Sequence, residues 1–221
     1  MLDFIIFTFF SCFEYLSIIY FSFVLFRLTL RHYTFHMLFI ACVLSYVSYT
    51  LRLAGFDFVA PIAQMVVLFL FIWLMFRIQV FYAFLIMLTG YLAYMLVQGV
   101  FIMALVALGW ITFEQLQPNT VIGVSIQIGT VALMMMLARF IEKMRWGFDF
   151  VPHSEFAQVK IRNENLVLLI VILLSFFSLG AAYSIVFYNN VNFGFYFLVA
   201  VNLIAIVLLI YFARKKDKRE D

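Results

Sequence analysis

The chain is a succession of apolar stretches of about twenty residues, separated by short connections that carry nearly all the charge. No other feature limits the fold so tightly. Apolar residues make up 67% of the 221 residues and charged residues only 11%. One water-soluble core of this size cannot hide that much apolar surface. A bilayer can take it, because a helix satisfies its own backbone and its outward face needs no water. The predicted fold is therefore all-α, a polytopic transmembrane helical bundle.

Seven stretches are long enough to be read as spans: residues 4–26, 33–51, 58–76, 80–103, 121–140, 166–188 and 193–212. The apolar run after residue 80 is too long for one upright helix and too short for two, and is read as one. The connections then alternate in charge. Arg27, Arg31 and His32 fill the first, Arg77 the third, and Arg139, Lys143, Arg145, Lys160 and Arg162 the fifth. The tail holds Arg214, Lys215, Lys216, Lys218 and Arg219. The fourth connection has Glu114 and no base, and the sixth is uncharged. Of the 14 Lys and Arg residues, Arg52 alone falls on the other side. Bases stay cytoplasmic, so the expected orientation is N-terminus outside and C-terminus inside, in a bacterial cytoplasmic membrane. Residues 1–213 form one membrane domain, and residues 214–221 a short basic tail that prolongs the last helix by a turn or two.

A sequence pI near 8.9 would suit a nucleic-acid partner. The bases are juxtamembrane, however, so topology and anionic lipid account for them and no nucleic acid is expected. Cys12 and Cys42 lie inside apolar spans, without zinc or redox-pair spacing. The first span has no basic start or small-residue cleavage site and reads as retained. His36 and Cys42 are six apart, about 120° around a helix, which does not make a peptidase pair. His32 and His36 are one turn apart but lack a third metal ligand. In GFDFVPHSEFAQ, Pro152 breaks the helix and Ser154 can cap the next one, while Trp146, Phe148 and Phe150 suit a headgroup region. Ser125 and Gly129, Ser178 and Ala182, and Gly180 and Ser184 have the small-residue spacing of close helix contacts.

Glu14 is the acidic residue well inside a span, about 15 Å from its start. An ionised carboxylate there costs about 2.5–3.5 kcal/mol, so it must face the bundle interior, be neutral, or meet a polar partner. Gln64, Gln98, Gln127 and Asn202 are the other strongly polar span residues. Glu14, Gln127 and Asn202 are the candidate ligand-binding set. Arg214, Lys215 and Lys216 are the candidate partner contact.

A carboxylate-bearing aromatic first helix, FFSCFEYLSIIYFSFVLFR, begins at Phe9, and a last span, VNLIAIVLLIYFARKKDKRED, runs directly into a basic helix. With seven spans, these resemble the membrane sensor half of peptide-responsive GHKL-type histidine kinases, the accessory-gene-regulator-C-like group. The resemblance implies a receptor for a peptide or lipophilic ligand that signals through its last span. No phospho-accepting helix or ATP-binding domain follows that span here, so a kinase or another membrane protein is the expected partner, and a homodimer is a further expectation. The competing expectation is the substrate-binding subunit of a small-solute importer that works with separate ATPases, although an AxxxA coupling motif is missing from the first span. An intramembrane enzyme would need several reactive groups at one depth. Glu14 is alone among charged residues there, so no catalytic residue, metal or cofactor is expected.

Overall fold

The computed structural model describes residues 2–28, 33–56, 59–112, 115, 120–151, 170 and 191–220, and the regular structure among them is helical. Helix α1 is Leu2–Leu25, α2 is Thr34–Leu53 and α3 is Ala60–Met75. Helix α4 is Val80–Ala107, α5 is Val121–Lys143 and α6 is Val191–Glu220. Apart from Pro61, in the first turn of α3, where no backbone N–H is needed, these helices contain no proline.

All but α3 are long and apolar enough to cross a membrane. At 16 residues, or about 24 Å, α3 is apolar but shorter than a ~30 Å hydrocarbon core. The long run after residue 80 is one unbroken helix of 28 residues, as read, though it continues past Met103 to Ala107. Helix α6 also runs on through the basic tail to Glu220. The sixth predicted span, residues 166–188, lies outside the described residues except for Ile170, as do His32, Glu114, His153 and Ser154.

Helix ends are closed by left-handed turns. After α1, Arg27 N–H donates to Val24 O and Leu28 N–H to Phe23 O, with Arg27 at φ 49°. This is the paired bonding of a Schellman motif, which satisfies the last carbonyls. The same pair of bonds recurs at Gly55, Gly109 and Arg145. Arg77, after α3, is also left-handed, at φ 54°.

The chain forms two compact units, passing between them within α4 and α5. The first comprises Met1–Tyr91 and Gln127–Ala157. In it α1 and α2 run antiparallel: Phe4 meets Tyr49 edge-on at 4.8 Å, and Cys12 Sγ lies 3.6 Å from Cys42 Sγ. Phe39 and Phe71 join α2 to α3. The α1–α4 approach is close at Gly90, where an added Cβ would sit 2.0 Å from Ser22 Oγ and 3.2 Å from the Ile18 carbonyl.

At one end of this unit the segment after α5 is clipped onto the end of α1. Phe148 N–H donates to Leu25 O at 2.8 Å, and Arg27 Nη2 donates to Arg145 O at 2.6 Å. Asp149 faces Arg27 at 3.9 Å. Phe148 and Phe150 are buried against Phe26, and Phe150 also meets Tyr82. They are core residues of this clip, whereas Trp146 is exposed. Arg27, Arg77 and Arg145 gather at this end, because Phe76 packs on both Phe23 and Tyr33. Arg52 is at the opposite end of α2.

The second unit comprises Leu92–Ile126 and Gln158–Asp221. There α6 buries Leu198, Val199, Asn202, Ala205, Ile206, Leu209 and Ala213, a stripe at three- and four-residue spacing. Val199 packs onto Gly99 of α4, where a Cβ would come within 2.6 Å. The opposite face, with Leu203, Ile204, Val207 and Tyr211, is apolar and exposed. A stripe of that kind suits lipid better than water.

Candidate functional site

One face of α1 carries Phe7, Ser11, Glu14, Tyr15, Ile18 and Ser22, at the spacing of a single helical stripe. That stripe faces the other helices of the first unit. Glu14 is half-buried, and Gln127 of α5 donates Nε2–H to its Oε2. The predicted pair is therefore brought together, across helices more than a hundred residues apart in sequence. Two tyrosines flank it. Tyr15 and Tyr91 are buried, and both lie near enough to Glu14 to interact with it electrostatically. Ser48 of α2 is a hydrogen-bonding neighbour of the Tyr15 hydroxyl. The Tyr91 hydroxyl has no hydrogen-bond partner among the described residues. Nearer the clip, Tyr20 donates to Glu142 Oε2 at 3.1 Å, a second tie between α1 and α5.

Asn202 belongs to the second unit. It is fully buried in the α6 stripe, and neither its Oδ1 nor its Nδ2 has a hydrogen-bond partner among the described residues. Burying an amide unpaired is costly, at about 1–3 kcal/mol on mutational scales. Arg214 and Lys215 are exposed on the last turns of α6, and Lys216 follows them within the same helix.

Two weaker readings take a clear form. Cys42 pairs with Cys12, and His36 packs instead against the rings of Tyr33 and Phe76. Ser125 is exposed, with its hydroxyl turned back onto Val121 O. Close helix approaches among the described residues are seen at Gly90 and Gly99. Among the described residues no three potential metal ligands come together.

Sequence reasoning missed Tyr15, Tyr91 and Ser48. Each is unremarkable in an aromatic-rich span, and only the packing of α1, α2 and α4 assembles them. Arg52 was visible as the exception to the charge pattern and was given no role. Its guanidinium carbon lies 5.7 Å from the centre of the Phe7 ring, one end of the stripe that leads to Glu14.

The geometry gathers a carboxyl from α1, an amide from α5 and phenolic hydroxyls from α1 and α4, a set suited to holding a polar ligand group by hydrogen bonds. Comparison with known proteins returned no match, whether to a family model, a curated protein or a solved structure.

Proposed function

We propose that this chain is a seven-span membrane receptor, N-terminus outside and C-terminus inside, which binds a peptide or lipophilic ligand near Glu14 and Gln127 and signals through its last helix. It has no catalytic role in this reading. The bacterial cytoplasmic membrane is its proposed location, and a kinase or another membrane protein its proposed partner. The observation that carries the reading is α6. Its 30 residues make a rod of about 45 Å, longer than a hydrocarbon core requires. A ligand that binds two bundle arrangements unequally would displace this rod. Arg214, Lys215 and Lys216 ride on its far end and would transmit that displacement to the partner. Glu14 supplies the ligand side: an intramembrane carboxyl held between helices is a site by default.

The test is a photo-crosslinking amino acid at Lys215, which is exposed, in native membranes. Adducts with a histidine kinase or other signalling protein support the receptor. Adducts with an ATPase pair would instead make the chain a solute-import subunit, with Glu14 and Gln127 as its solute contacts. Absence of any adduct at Lys215, with efficient crosslinking at control positions, would remove the tail from the mechanism.

A further inference from the structure

We propose that Arg52 is a binding site for an oxyanion, a phosphate group carried by a lipid or free in solution, at the mouth of the polar strip on α1. The charge pattern marks it first. Thirteen of the 14 bases obey one alternation and Arg52 breaks it, and a base on the translocated side works against insertion. A charge kept at such a position needs a compensating interaction.

Among the described residues, what compensates it is a helix end and an aromatic ring. Arg52 sits in the last turn of α2, where its charge complements the helix dipole. Its guanidinium is stacked over Phe7, and its Nε is buried with no hydrogen-bond partner among the described residues. Arg27, at the other end of the unit, does have an ion-pair partner, Asp149. Phe7 belongs to an aromatic cluster with Phe4, Tyr46 and Tyr49, so the ring on which the guanidinium stacks is itself packed in place. What is held still is thus a planar fork of donors, and such a fork matches two oxygens of a phosphate. In the proposed orientation this end of α2 meets the membrane–water boundary, where aromatic residues concentrate and lipid phosphates lie. The position also has a direction. Ser48 lies one turn back along α2, Tyr15 beside it, and Glu14 beyond. A molecule whose phosphate is held at Arg52 would have the rest of its polar part against these groups.

This assignment rests on the membrane orientation proposed above but not on a signalling partner, and its test is independent of one. The full chain is reconstituted in nanodiscs of phosphatidylcholine with one fifth phosphatidylglycerol, and lipid retained on the protein is read by native mass spectrometry. Arg52→Gln removes a charge from the helix, so it should insert at least as readily as wild type. Wild type is expected to retain phosphatidylglycerol about fivefold more than Arg52→Gln. Arg52→Lys, a point charge without the fork, should fall between them. Retention that survives excess inorganic phosphate identifies a lipid headgroup. Displacement by inorganic phosphate identifies a site open to soluble anions. Equal retention by wild type and Arg52→Gln overturns the proposal. So does an equal loss in Arg77→Gln, because the effect would then be general surface charge.

Discussion

At the scale of single residues, Glu14 and Asn202 make opposite use of burial. Glu14 has met an amide, and its worth is a coupling that can be measured. A double-mutant cycle of Glu14→Leu and Gln127→Leu, followed by thermal unfolding in detergent, should give about 0.6–1.7 kcal/mol, the range for hydrogen bonds between membrane helices. A coupling near zero would mean the two side chains do not bond in the folded protein. Asn202 is buried without a partner among the described residues. Replacing it with Leu, similar in volume and with no polar atom to satisfy, should stabilise the second unit by about 1–3 kcal/mol. A loss of stability instead would reveal that the amide is paired. Both residues were legible from composition, because polar side chains are rare in these spans. Their fates were not, since a helix wheel shows which residues share a face but not what that face meets.

Among the helices, the apolar runs located all six described elements, because twenty apolar residues without an internal proline leave the backbone one economical solution. Lengths were less legible. Helix α3 ends at Met75 after 16 residues, although the hydrophobic run looked as long as its neighbours. Packing faces were least legible: close approaches lie at Gly90 and Gly99, which no small-residue spacing had marked. Gly90→Ala is predicted to cost about 1–3 kcal/mol, since its Cβ would overlap Ser22 Oγ and the Ile18 carbonyl stands behind. Adding Ser22→Ala should recover part of that loss, whereas Ser125→Ala should change stability little. The two cysteines give a check on the α1–α2 register. With Sγ atoms 3.6 Å apart, copper–phenanthroline should join them within one chain. Both thiols should then resist alkylation until reduction, without any covalent dimer. A dimer, or two thiols that remain reactive, would disprove that register.

For the molecule as a whole, the charge alternation predicted more than the helices alone can display, since a helix carries no label for the side of a membrane it enters. In the first unit the packing does collect Arg27, Arg77 and Arg145 at one end and leave Arg52 at the other, as the alternation requires. With Cys12 and Cys42 replaced, a single cysteine at Phe56 should react with an impermeant maleimide added outside intact cells, and one at Trp146 should react only after lysis. The reverse pattern would invert the proposed orientation. Those three arginines also occupy left-handed backbone positions, at φ 49°, 54° and 53°. Such a conformation costs a residue other than glycine about 1 kcal/mol, and Gly55 and Gly109 close other helices without that cost. A thermostability screen in detergent, where the two sides of a membrane do not exist, should therefore favour variants with glycine at 145, where the side chain is exposed. The same variants would lose one of the charges that orient the chain as it is made. For this protein, selecting for hardiness after extraction and selecting for yield in the cell should enrich different residues at the same helix end.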